Sequence, residues 1–113
     1  MKARLPDEYR SGGRAAMMQQ FQKMQEEMAR AQEEVEESTF SASVGGGAVT
    51  AECNGKQELL GVKISPEVVD PEDVEMLEDL VTAAVNEALS KASDAMEQGM
   101  EQARGGLKVP GLM

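Results

Sequence analysis

Phe40-Ser41-Ala42-Ser43-Val44-Gly45-Gly46-Gly47-Ala48-Val49-Thr50-Ala51-Glu52-Cys53-Asn54-Gly55 is the stretch on which the fold turns. Phe40, Ala42 and Val44 alternate with Thr39, Ser41 and Ser43, and Val49, Ala51 and Cys53 alternate in the same way. A period of two belongs to half-buried strands. The triple glycine between the runs reads as a strand-to-strand turn. A phosphate-cradling glycine loop would open a helix and bring a Lys with Ser or Thr, whereas here a strand follows. Asn54-Gly55 then signals a hairpin, and Leu60, Val62 and Ile64 form a third alternating run before Ser65-Pro66. With Asn54 and Gly55 as a two-residue loop, Cys53 is expected to pair with Lys56 and Val49 with Leu60. That register puts Val49, Leu60, Val62 and Ile64 on one face. The polar tip (Glu52, Asn54, Lys56, Gln57, Glu58) is expected to project into water.

Outward from this sheet the period changes. Upstream, Met17, Phe21, Met24, Met28, Ala31 and Val35 step by four and three, a heptad seam set among Gln, Lys, Glu and Arg. This predicts a helix from Arg14 with a narrow apolar stripe. Residues 1–13, with Pro6, Gly12 and Gly13, read as a flexible lead-in. Downstream, Asp70 is the expected N-cap and Pro71 the first helical residue, followed by Glu72, Asp73 and Glu75 where the helix dipole favours acids. Leu77, Leu80, Val81, Ala84, Val85, Ala88, Leu89, Ala92 and Ala95 form its broad apolar stripe. Gly99 weakens the helix and Gly105-Gly106 ends it, leaving 105–113 as a loose tail. The expected domain is thus 14–104, an α+β α-β-β-β-α unit with a small antiparallel three-stranded sheet. A helix from Pro71 to Ala103 would run roughly 50 Å, against about 20 Å for the strands. The helices overhang the sheet, and both the overhang and the open sheet edges call for a homodimer.

Composition narrows the function. The 113-residue chain has no His and one Cys, Cys53, so imidazole bases, Cys-His pairs, disulfides within the chain and Cys-based zinc sites are excluded. The reading is no enzyme, no cofactor and no metal. Met17, Met24 and Met28 offer a docking surface or a soft-metal site on paper, but at seam spacing packing is favoured. Ser11-Gly12-Gly13-Arg14 before the helix offers a phosphate site, with a capped helix as the plainer reading. Cys53 lacks neighbours that would activate it. No apolar run reaches the length of a membrane span, and Met1 to Pro6 is not followed by the apolar core of a signal peptide, so a cytoplasmic protein without membrane contact is expected.

Charge is uneven. With 11 Lys+Arg against 21 Asp+Glu, the formal net charge is −10, an awkward start for a nucleic-acid binder. Between Glu67 and Ala103 eleven acids face Lys91 alone. The bases gather towards the ends of the chain. Arg14, Lys23, Arg30, Lys91, Arg104 and Lys108 are the candidate phosphate contacts if the overhanging helices meet a duplex. No base-reading helix and no aromatic platform is evident, so such binding would be backbone-directed and weakly selective. Met17, Phe21, Met24, Met28, Val49, Leu60, Val62, Ile64, Leu77, Leu80 and Val81 are the candidate core and dimer residues.

Three further runs complete a pattern: Gly45 to Thr50 with Asn54-Gly55-Lys56-Gln57-Glu58, Val62-Lys63-Ile64-Ser65-Pro66, and Met76-Leu77-Glu78-Asp79-Leu80-Val81 with Ala83-Ala84 and Asn86-Glu87-Ala88. With Met24-Gln25-Glu26-Glu27-Met28 ahead of them, in order and at matching spacing over about 14–104, the chain resembles the YbaB/EbfC family of bacterial nucleoid-associated DNA-binding proteins. The resemblance implies a cytoplasmic, nucleoid-associated homodimer with protruding helices that binds double-stranded DNA, with effects on compaction or transcription and a link to recombinational repair or replication. Leu59-Leu60-Gly61 stands where many members carry a basic residue, and the second helix keeps only Lys91 before Arg104. Those departures weigh against tight DNA binding. They leave a second reading, an acidic dimeric adaptor for a repair or replication protein.

Overall fold

A computed structural model of the protein describes residues 7–105, with side-chain surroundings from Gly13 onward. The elements follow the order α1 (Asp7–Glu37), β1 (Thr39–Val44), β2 (Val49–Asn54), β3 (Leu59–Ile64), a 3-10 turn (Pro66–Val68) and α2 (Val74–Ala103). The three strands make one antiparallel sheet in the order β1-β2-β3. This is the α-β-β-β-α arrangement expected of an α+β chain.

The β1–β2 hairpin forms as the alternation predicts, from Thr39↔Asn54 to Val44↔Val49. Gly45, Gly46 and Gly47 all hold positive φ, at 64°, 68° and 92°, a run that residues with a Cβ resist. Ala42, Val49, Ala51 and Cys53 are buried on the face that α2 covers, with Phe40 and Val44 packed beside them. The opposite face is polar, and Ser43 and Thr50 join hydroxyls across it at 2.6 Å.

The β2–β3 register differs from the expected one. Val49 pairs with Ile64 rather than Leu60, and Cys53 pairs with Leu59 rather than Lys56, with a bulge between Glu52 and Cys53. The cause lies in the loop. The Asn54 side chain accepts from the amides of Lys56 (2.9 Å) and Glu58 (3.0 Å) and donates to the Glu58 carboxylate, holding a wider turn open. Gln57, at φ 65°, takes the left-handed position. Gly55 does not have a positive φ; it is needed for close approach, since a Cβ there would run into the Val35 carbonyl and sit 2.8 Å from the Glu36 Cα. The four-residue shift is even, so Val49, Val62 and Ile64 still share a face, as expected. Leu60 falls within the bulge, without a directly opposed partner.

Both helices begin elsewhere than predicted. Asp70 and Pro71 do not start α2: the Asp70 carboxylate accepts from the Glu72 amide in a local turn, and Asp73 is the N-cap, accepting from Met76 at 3.3 Å. The nearer of two competing caps opens the helix. α1 begins at Asp7, so residues 7–13 of the expected lead-in are helical. Gly12-Gly13 cost about 1 kcal/mol each without stopping the helix. Residues 1–6 and 106–113 lie outside the described part.

α2 lies across β1 and β2 and barely touches β3. Ala84, Ala88 and Ala92, one turn apart, are fully buried against the sheet, and their small side chains let the helix sit close. Leu77, Leu80, Val81, Val85 and Leu89 pack around this row, as does Val62. The last third of α2 runs antiparallel to the last third of α1, where Gly99 lies against Val35 and Ala31. Met24, Met28, Ala31 and Val35 are half-buried, as the seam predicts, whereas Met17 and Phe21 lie outside the core of the chain, at 72% and 56% exposure. The shape is long, with extents of 92 × 27 × 16 Å.

Candidate functional site

The length of the molecule comes from both helices, which overlap only over their last thirds. α2 ends at Ala103, beside Met28 and its neighbours, so the part of α1 from Asp7 to about Lys23 runs on alone for roughly 25 Å. This arm has an unusual charge. Residues 9–25 hold Arg10, Arg14 and Lys23 and no acid at all, while 19 of the 21 acids follow from Glu26 onward. It is the longest acid-free run of the chain.

The candidate bases fall into separate settings. Arg14 and Lys23 are exposed on the arm. Arg14 precedes Met17 by three residues and Met18 by four, and so shares their face; its partners at those spacings include no carboxylate. Arg30, also exposed, has Glu26, Glu27, Glu33 and Glu34 at three and four residues on either side, a local field that turns phosphate away. Lys91 is taken up at the sheet, where its Nζ donates to the Ser41 carbonyl of β1 at 2.8 Å. Arg104 closes α2, its backbone N–H and Nε both donating to the Met100 carbonyl, and it borders a groove with Lys56, Met28, Met96 and Met100. Lys108 lies outside the described residues.

The structure also brings forward residues that motif reading passed over. Met18, Gln22 and Gln25 join Met17 and Phe21 on one exposed side of the arm. Lys56 reaches the helix pair only because the wide β2–β3 loop leans on α1. The absence of acids from residues 9–25 was the available signal for the arm; nothing local pointed to Lys56. Cys53 is not part of any site: its Sγ is buried, donates to the Ala88 carbonyl at 3.3 Å, and has its pKa raised by desolvation. Among the described residues no group of three or more His, Cys, Asp or Glu is placed to hold a metal, and no helix is long and apolar enough to cross a membrane.

Fold and charge together define a small α-β-β-β-α protein with one helix extended as a basic arm from an acidic body. Comparison with known proteins sharpens this class. Residues 11–107 match the YbaB/EbfC DNA-binding family. A nucleoid-associated protein of Pelotomaculum thermopropionicum is 52% identical over 101 residues, spanning 89% of this chain and 96% of that one. One from Clostridium novyi is 52% identical over 96 residues, 85% of this chain and 84% of the relative. An uncharacterized protein from Helicobacter pylori has the same fold, with a TM-score of 0.57 at 22% identity over 69% of this chain and 90% of that chain. The chain belongs to the YbaB/EbfC DNA-binding family, whose relatives named here are nucleoid-associated proteins.

Proposed function

We propose that the protein works as a homodimer that binds double-stranded DNA through its phosphate backbone, with low sequence selectivity, and so contributes to nucleoid organisation in the cytoplasm. The observation that carries this reading is the acid-free run of residues 9–25 on the arm of α1, which offers bases to a polyanion well ahead of the acidic body. Arg14 is its principal phosphate contact and Lys23 assists. Arg104 and Lys56 form a second basic point where the arm leaves the helix pair. The dimer is supported by β3, which α2 leaves uncovered. Leu60 and Ile64 are 55% and 40% exposed there, and apolar surface of this kind beside a free sheet edge favours a second copy.

The test is fluorescence anisotropy of a labelled duplex at several salt concentrations, together with sedimentation to establish the mass. The wild-type chain should sediment at twice its own mass and bind with a log-log salt slope of several units. Each phosphate contact accounts for about 0.9 of that slope. Arg14→Gln in a dimer removes two such contacts and should lower the slope by about two, while Arg30→Gln should leave it in place. Absence of binding even at low salt, or an unchanged slope for Arg14→Gln, would overturn the reading.

A further inference from the structure

Among the described residues the most exposed large apolar side chains lie on the arm: Met17 at 72%, Met18 at 60% and Phe21 at 56%. Phe21 follows Met17 by four residues and Met18 by three, so it shares a face with both. Arg14 continues that face on one side and Gln22 and Gln25 line it on the other. Neither α2 nor the sheet covers them. Apolar residues on a polar helix want an occupant, and the charge around this patch selects one. Residues 9–25, which hold this patch, carry only positive charge while the body from Glu26 onward is strongly negative, so a polyanion is drawn to this face and a second acidic body is not.

We infer that Met17, Met18 and Phe21 form an apolar wedge that enters the base stack of duplex DNA and bends it, while Arg14 holds the adjoining phosphates. This deepens the DNA-binding reading and rests on it. Proteins that work from the minor groove commonly insert Met or Phe side chains at a base step, unstacking it and kinking the duplex. The three side chains suit that use. Met is unbranched and adapts to an irregular gap, Phe supplies a flat ring, and both are exposed without any rearrangement of the helix. Gln22 and Gln25, on the same face, carry amide donors that reach base and sugar acceptors. The wedge adds bending to binding without requiring a fixed base sequence, and the most easily unstacked steps become the preferred ones.

The experiment uses the full chain and the variant carrying Met17→Gln, Met18→Gln and Phe21→Gln, which leaves helix propensity and net charge in place. A duplex with donor and acceptor dyes at its ends reports bending, a fluorescent adenine analogue within it reports unstacking, and anisotropy reports binding. The wild type is expected to shorten the end-to-end distance and brighten the analogue at saturation. The variant should still bind with the wild-type salt slope but produce neither change. Arg14→Gln should do the reverse, lowering the slope and still bending the duplex at saturation. Wild-type binding without bending, or equal bending by the triple variant, refutes the wedge and leaves phosphate binding standing. A triple variant that sediments as a monomer also refutes it, by making the patch an interface between copies. If the wild type does not bind at all, the DNA-binding reading itself fails.

Discussion

Replacement of Gly55 by Ala gives a sharp test of how the arm is held. The β2–β3 loop touches the C-terminal end of α1 through this glycine. An added Cβ would overlap the Val35 carbonyl and lie 2.8 Å from the Glu36 Cα, where about 3.4 Å is the ordinary limit of approach. Both obstacles are backbone atoms, so no change of rotamer can make room. Overpacking that side chains can relax costs about 1–3 kcal/mol. Here the loop or the helix end has to move as a unit, and a loss of about 3 kcal/mol is expected from a total stability of about 5–15 kcal/mol. With an m-value near 1.5 kcal/mol/M in urea, the unfolding midpoint should fall by about 2 M, measured at fixed protein concentration because assembly contributes to apparent stability. Gly61→Ala is the control, since nothing lies within 4 Å of a Cβ at that position. Its midpoint should stay within about 0.5 kcal/mol of the wild type. If Gly55→Ala unfolds at the wild-type midpoint, the loop does not press on α1 and the close approach argued for Gly55 is wrong.

Two further outcomes follow from the packing. Gly99→Ala should stabilise the protein by about 0.5–1 kcal/mol, seen as a higher urea midpoint, because it removes a helix-interior glycine and its Cβ meets Val35 Cγ2 at an ordinary 3.4 Å. Cys53 should react with a soluble thiol reagent only as fast as the protein opens. Its pKa is raised above the ordinary 9.0 by desolvation, so this thiol's share of stability is complete below about pH 9 and declines as pH rises towards the folded-state value. Cys53→Ala should remove that alkaline loss, as read from urea midpoints across the pH range.

Much of the fold was legible because its signals are local and repeated. Met24, Met28, Ala31 and Val35 mark the α1 seam at helical spacing, and Phe40, Ala42 and Val44 mark β1 at strand spacing. The parts that were not legible depend on contacts distant in sequence or on close competition. Asn54-Gly55 looks like a two-residue turn until the α1 backbone is seen against Gly55 and the Asn54 side chain is seen holding the Lys56 and Glu58 amides. Asp70 and Asp73 are equally good caps on paper, and only their hydrogen bonds separate them. Gly12-Gly13 carries a local penalty that the neighbouring helix overrides. For the site, counting bases gave Arg14 and Arg30 equal standing; once the helix fixes spacing, four glutamates surround one and none the other.

The same geometry resolves the conflict between a net charge of −10 and membership of a DNA-binding family. Net charge governs what a distant polyanion feels, but contact is governed by charges within a screening length, about 8 Å at physiological ionic strength. Along α1, Arg14 stands twelve residues from Glu26, the first acid of the body, which is roughly 18 Å of helix. That is more than two screening lengths, so a phosphate at Arg14 is largely shielded from the acidic helices. On the other side Asp7 and Glu8 precede Arg14 by seven and six residues in the sequence, with Arg10 between. Arg30 has no such distance from its glutamates, and salt does not create one. On the proposed reading, a long arm with Arg10 and Arg14 set well away from Glu26 is what lets an acidic protein present a basic surface, and the acids of the body limit where along the arm DNA would rest.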